Sequence, residues 1–224
     1  MPRLAGDDAS ALCHLSGYGI GVPDILTAVP LNSNDTIDLF KKTGAYLRGH
    51  FRLTSGLHSP QYLQCALVLQ YPDNAEDLGE ELADRLGVYG KVNVVASPAI
   101  GGLIIGHEVA RHLGARFIFT ERDANGAMVL RRGFAIEPGE AAVVVEDVVT
   151  TGGSSREVIE VLKAGGATVL AAGSIIDRSG GHVELGVPRV ALATLKVITY
   201  PPDNCPLCEQ GIQVTKPGSR PAGG

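Results

Sequence analysis

The sequence predicts an α/β fold, with a central parallel sheet flanked by helices. Three observations carry that prediction. The five consecutive apolar residues Ala141 to Val145 read as a strand buried on both faces, as strands of a parallel sheet are. The turn beyond them leads into Val158, Ile159, Val161 and Leu162, which recur at helical spacing. A second strand–loop–helix pattern starts at Val92, and strands alternating with helices imply right-handed crossovers between parallel neighbours.

Taken in order, residues 1–34 scatter Gly, Pro, Ser and Asn without periodicity, so a poorly ordered extension is expected ahead of a domain spanning 35–200. From Thr36, the apolar Ile37, Leu39, Phe40, Ala45, Tyr46 and Leu47 predict an amphipathic helix. Residues 51–64 predict a hairpin-like β element around Gly56. Residues 72–86 suit a helix with Ala75, Leu78, Leu82 and Leu86 on one face. Next come a strand at 92–96, a small-residue loop at 97–102, a helix to about Leu113 and a strand at 116–120. The charged, glycine-containing stretch 121–134 reads as an exposed loop or ribbon. After the 141–145 strand, Ser154 with Glu157 three residues later has a capping-box pattern, and Gly165-Gly166 ends the helix. Strands at 168–176 and 190–197 complete a sheet of about four or five parallel strands. Residues 201–224 form a Pro- and Gly-rich, irregular tail.

The densest chemistry lies at the end of the 141–145 strand. Glu146 and Asp147 are followed by Val148, Val149, Thr150, Thr151, Gly152, Gly153 and Ser154. In open α/β sheets this carboxyl end of a strand is where ligands bind. Glycines let backbone approach a ligand, and free amides at a helix start favour an anion. Thr150, Thr151, Ser154 and Ser155 add hydroxyl donors. No Gly-Lys-Ser/Thr follows, so this is not a Walker A loop. Carboxylates beside a phosphate cradle repel the ligand unless they face its hydroxyls or a metal. A ligand carrying both a phosphate and a sugar diol satisfies that condition, with the diol bound directly or around hydrated Mg²⁺. A solvated strand end with a Gly-rich turn has similar composition; the whole pattern, more than the acidic pair, argues for a site.

Two further segments can join it. Amides of the Ser97–Gly102 loop can hold a second anion, although a plain strand–helix turn looks the same. Arg178, at the end of the 168–176 strand, suits a bidentate carboxylate with Asp177 orienting it, against the alternative of a surface ion pair.

Composition excludes several functions. The net charge of −5 argues against bulk nucleic-acid binding. No apolar run approaches the ~18 residues of a membrane span, and no basic segment precedes an apolar core at the N-terminus, so a cytoplasmic protein is expected. Of four cysteines, Cys205 and Cys208 form a Cys-x-x-Cys pair that suits half a zinc site, a redox pair or a local disulfide. No second such pair supplies the remaining zinc ligands, and His107 and His112 are poorly spaced for one helical face, so a structural or incidental pair is expected.

The Glu146–Ser154 segment resembles the phosphoribosyl pyrophosphate (PRPP) signature of type I phosphoribosyltransferases. From about residue 36 to 219 the chain is similar to the bacterial and archaeal orotate phosphoribosyltransferases, in their short-loop branch. The resemblance implies a type I phosphoribosyltransferase fold with a small N-terminal hood, here 36–65, over the base pocket. It implies PRPP contacts from Glu146, Asp147, Val148, Val149, Thr150, Thr151, Gly152, Gly153 and Ser154, a pyrophosphate loop at Ser97, Ala99 and Gly101, and orotate contacts from Thr150 and Arg178. Catalytic roles fall to Asp147 and Arg122. Mg²⁺ arrives with PRPP without a direct protein ligand, Glu146 and Asp147 reaching it through water. A homodimer is implied, with loop 121–134 closing over the neighbouring site, and a Cys-Pro-Leu-Cys tail recurs in this branch. The chain departs from several relatives where they carry lysine, with Ile100-Gly101, Asp123 and Thr54 at those places. The activity implied joins orotate to PRPP, giving orotidine 5′-monophosphate and pyrophosphate. A purine or uracil acceptor is the enzymatic alternative, and a pocket arginine favours the acidic base. A non-catalytic PRPP-sensing regulator is the other, disfavoured by acidic charge and an N-terminus without a helix-turn-helix pattern.

Overall fold

The computed structural model describes residues 31–53 and 55–217, and begins with α1 (Ser33–Lys42). Asn32 caps this helix: its side chain accepts from the amides of Asn34 and Asp35, and the Asp35 carboxylate accepts from the Asn32 amide. The helix stops at Gly44, whose φ of +70° suits glycine. Tyr46 and Leu47 therefore do not continue it, contrary to their apolar spacing. They open β1 (Tyr46–Arg52), which pairs antiparallel with β2 (His58–Leu63) to form the hood. A single turn, α2 (Ala66–Leu69), which no sequence signal announced, leads into α3 (Pro72–Gly87) with proline in its first turn.

The main sheet contains β3 (Val94–Pro98), β4 (Arg116–Arg122), β5 (Met128–Leu130), β6 (Ala141–Val149), β7 (Thr168–Asp177) and β8 (Arg189–Thr194). Their spatial order is β5-β4-β3-β6-β7-β8, all parallel except the edge strand β5. Five parallel strands match the expectation; the sixth comes from the 121–134 stretch, a ribbon and not a loop. Its turn forms because the Asp123 carboxylate accepts from the amides of Asn125 and Ala127, and Phe134 packs edge-on against Phe119.

Helices α3 and α4 (Leu103–Leu113) cover one face of the sheet and α5 (Gly153–Ala164) the other. Side chains of β6 alternate between the two cores: Val143 and Val145 join the α3/α4 side, Ala142 and Val144 the α5 side. The chain leaves β3 in one direction and returns to β6 on its other side, so the loops after these strands diverge and open a crevice between them.

The tail is more ordered than its composition suggested. A 3₁₀ turn at Pro202–Asn204 and α6 (Pro206–Glu209) carry it to the hood, where the Arg52 amide donates to Thr215 O and the Thr215 amide to His50 O, both at 2.8 Å. His58 and Tyr200 exchange two backbone hydrogen bonds. Residues 1–30 and 218–224, which include most of the expected N-terminal extension and the end of the tail, lie outside the described residues. No described helix is long and apolar enough to cross a membrane.

Where α3 crosses α4, Gly79 leaves no room for a side chain: a Cβ there would lie 2.4 Å from Glu108 Cβ. Alanine gains about 1 kcal/mol in helix propensity, but overpacking costs about 1–3 kcal/mol. Gly79→Ala should therefore lower stability by up to about 2 kcal/mol, seen as a lower urea midpoint at unchanged m-value.

Candidate active site

A cleft of about 640 Å³ opens at the carboxyl ends of β6 and β7, beneath the hood. Its floor is the loop between β6 and α5. Gly152 turns the chain there at φ +72°, and a Cβ on it would come within 2.6 Å of Leu185 and Val183 side chains. Arg156 braces the loop by donating to Thr151 O (2.6 Å) and Glu184 O (3.0 Å). The anticipated capping box does not form. Gly152 is the N-cap, and no side chain caps α5. Ser155 donates instead to the Glu146 carboxylate, and Glu157 pairs with Arg122 at 2.7 Å. The amides of the helix start remain without a side-chain cap and suited to an anion.

Asp147 lies beside Gly101 of the β3–α4 loop. A Cβ on Gly101 would stand 2.6–2.8 Å from the Asp147 carboxyl atoms, so glycine is required for this approach. Burial raises the Asp147 carboxyl above the usual aspartate range, while hydrogen bonds from backbone amides of Val148 and Asp147 oppose the rise. The loop also holds a cis Ala99–Ile100 peptide.

Arg178 forms the opposite wall. Its backbone amide donates to Val149 O at 2.8 Å, which aligns the turn after β7 with the end of β6. Its side chain is largely withdrawn from water, Nε is buried without a hydrogen-bond partner, and among the described residues it joins no ion pair. Burial lowers the guanidinium pKa, with Tyr62 and Cys65 acting in the other direction. Tyr62 of β2 lines the same wall; burial, then Asp147, raises its hydroxyl pKa.

A phosphoribosyl transferase domain matches residues 69–186. The orotate phosphoribosyltransferase of Pelotomaculum thermopropionicum is 56% identical over 190 residues, covering 85% of this chain and 99% of that protein. That of Thermotoga maritima is 55% identical over 183 residues, covering 82% and 97%. The chain belongs to the orotate phosphoribosyltransferase family. The crystal structure of the Aeropyrum pernix member superimposes with a TM-score of 0.59 at 32% identity, over 71% of this chain and 93% of that one. Adenine phosphoribosyltransferase from Thermoanaerobacter pseudethanolicus, at 16% identity and TM-score 0.53, shares the fold. The type I phosphoribosyltransferase fold expected from sequence is the fold observed.

Of the residues singled out by sequence, Arg122, Glu146, Asp147, Val148, Thr150, Thr151, Gly152, Gly153, Ser154 and Arg178 line one cleft. Val149 does not; its side chain is buried in the core and its carbonyl is taken by Arg178. Ser97 is fully buried behind the cleft, its hydroxyl without a partner, while Ala99 is half-buried and Gly101 exposed. Asp177 does not orient the Arg178 side chain. Its carboxylate accepts from the Ser179 amide (2.7 Å), the Ser179 hydroxyl (2.6 Å) and Arg189. Sequence reasoning missed Tyr62, Gln64, Val197 and Thr199 as lining residues. Alternation along β2 offered a signal for Tyr62; nothing local marked Val197 and Thr199. Thr54 lies outside the described residues.

Burial alone would raise the Asp177 carboxyl, but the bonds from Ser179 and Arg189 outweigh it and hold the pKa below the usual aspartate value. Its contribution to stability is therefore present above the unfolded-state pKa of about 3.9 and lost as pH falls through the lower folded value. Asp177→Ala should cost about 3 kcal/mol at pH 7, toward the low end for a buried pair because Arg189 keeps some exposure. In urea titrations the difference from wild type should shrink below about pH 4.

Proposed function

We propose that this cleft transfers the phosphoribosyl group of PRPP to orotate, breaking the C1′–O bond to pyrophosphate and forming a bond from C1′ to a ring nitrogen of orotate. The observation that carries the acceptor is Arg178. A guanidinium largely out of water, with Nε unpaired and no ion-pair partner among the described residues, calls for an anion brought by the ligand. The orotate carboxylate meets that need with a bidentate contact. A purine or uracil lacks the carboxylate and leaves the charge unpaired, the situation in which a site rejects an analogue most strongly.

The PRPP half follows from the loop. The uncapped amides at 151–154, with the Thr150, Thr151 and Ser154 hydroxyls, suit the 5′-phosphate. Glu146 and Asp147 accept from the ribose hydroxyls, and Arg122, held at the rim by Glu157, faces the diphosphate. Of the loop residues Ser97, Ala99 and Gly101, Ser97 is buried and the Ala99 amide is taken by Thr120 O, so the exposed Gly101 end, beside Asp147, is the part that serves the pyrophosphate. As the leaving group departs, positive charge grows on the ribose ring, and the Asp147 carboxylate stabilises it from a fixed, partly desolvated position. The hood excludes water from the reacting atoms.

The hard oxygen donors of Glu146 and Asp147 fit Mg²⁺ held through water, and a cation offsets the burial that raises the Asp147 carboxyl. Bound with the diphosphate, Mg²⁺ neutralises charge on the leaving group. The proposal includes a homodimer: the exposed ribbon at the sheet edge supports a tip, residues 123–127, that reaches the neighbouring cleft while Arg122 at its base serves its own.

Pyrophosphate release should be measured with Mg²⁺, PRPP and one base at a time: orotate, hypoxanthine, xanthine or uracil. Release with orotate alone is expected; release only with a purine would overturn the assignment. Arg178→Ala should lower kcat/KM for orotate on the order of 100-fold, from the ~2–5 kcal/mol range for a lost buried charge contact, while the KM for PRPP stays within about threefold. Asp147 must be ionised to accept from the ribose, so activity should fall on the acid side at a pH above the usual aspartate pKa. Asp147→Asn should raise the KM for PRPP and remove that acid limb.

A further inference from the structure

Cys205 and Cys208 have the spacing of half a metal site, and the other half comes from the hood. His50 on β1 and His58 on β2 bring their ring nitrogens to the two sulfurs. Cys205 Sγ lies 3.6 Å from His50 Nε2, and Cys208 Sγ lies 3.8 Å from His50 Nε2 and 3.3 Å from His58 Nδ1. All four donor atoms fall within 4.8 Å of one another. Zinc bound tetrahedrally at about 2.3 Å from sulfur and about 2.0–2.1 Å from nitrogen requires sulfur–nitrogen separations of about 3.6 Å. The three observed values bracket that figure. His50 Nε2 and His58 Nδ1 stand 2.8 Å apart, so entry of the ion parts them by about half an ångström.

An outer contact reinforces the geometry. His50 Nδ1 lies 2.7 Å from Ile212 O, and a carbonyl only accepts, so Nδ1 carries the proton and Nε2 presents its lone pair to the sulfurs. Fixing a ligand histidine's tautomer through its far nitrogen is the usual support of a metal site. His50, His58 and Cys205 are buried and only Cys208 reaches the surface, so solvent has limited access.

We propose that His50 Nε2, His58 Nδ1, Cys205 Sγ and Cys208 Sγ bind one structural Zn²⁺ ion that clasps the C-terminal tail to the hood. Two thiolates and two imidazoles select zinc over the hard cations, and four protein ligands leave no open position for catalysis. None of the four residues lines the cleft. Both histidines flank the hairpin tip that carries Leu53, Ser55 and Leu57 into its wall. The ion ties the two arms of that hairpin to a segment more than 140 residues away, in register with the Phe51–Thr215 and His58–Tyr200 bridges.

The test is metal content of the full-length protein, grown with zinc, purified without a metal-affinity column and dialysed into Mg²⁺ buffer. About one zinc per chain is expected by mass spectrometry. On wild type, a strong chelator should release that zinc and expose two thiols to a thiol reagent in the same step, and added Zn²⁺ should protect them again. Cys208→Ser, at the exposed ligand, should lower zinc retention at least about tenfold, by loss of one of four ligands. Because the wild-type thiol measurement needs no variant, a misfolded C208S leaves the test intact. Protein that holds under about 0.1 zinc per chain after reconstitution, contains a Cys205–Cys208 disulfide, or shows equal thiol reactivity with and without zinc overturns the proposal. Metal content is read without any activity assay, so the result is independent of the acceptor assignment.

Discussion

Hydrogen bonds along both edges of β6, to β3 on one side and to β7 on the other, hold the strand on which the cleft depends. A strand paired on both sides and covered on both faces has no freedom to slip, since a shift of one residue would send Val143 and Val144 to the wrong cores. That rigidity is passed to its end. Glu146 and Asp147 leave the sheet at a set height, and the next residues turn into α5 through Gly152. The β3–α4 loop meets them because Gly101 yields its side-chain space to Asp147.

The cleft then concentrates charge in a poorly hydrated place. Burial raises the Asp147 carboxyl and lowers the Arg178 guanidinium, so both are held against their preference for water. Neighbouring charges are handled differently. Glu146 accepts from Ser155, Glu157 pairs with Arg122, and Asp177 is consumed by Ser179 and Arg189. Arg178 alone of this group is left with its Nε unpaired among the described residues. Pairing the supporting groups leaves Arg178 as the group of this set with an unsatisfied donor, which a ligand anion would meet under the proposed function.

The hood is a two-stranded hairpin, and such a hairpin is marginal by itself. Here the tail adds backbone hydrogen bonds along it at Arg52, His50 and His58, and the histidine–cysteine cluster sits at the same junction. The placement of the hairpin tip over the cleft is thus linked to residues near the far end of the chain.

How much was legible in the sequence follows from how local each feature is. The buried strand, the Gly-rich turn and the start of α5 are contiguous, so the strand, turn and helix that floor the cleft could be read from 141–164 directly. The helix of α3 and the ribbon's turn residues are equally local. Other readings failed where a distant partner outcompeted a neighbour. Glu157 pairs with Arg122 and Gly152 takes the N-cap position, so Ser154 and Glu157 form no capping box. Asp177 was drawn to Arg189 across to β8. Gly44 broke a helix that apolar spacing alone would have prolonged. By itself, then, the sequence determined the parallel α/β sheet and the Gly-rich turn into α5, because periodicity and turn chemistry act between near neighbours. Only the tertiary structure decided that Arg178 faces Asp147 across a cleft and that His50 and His58 meet Cys205 and Cys208, because those pairs are brought together by crossovers and packing that no short-range pattern encodes.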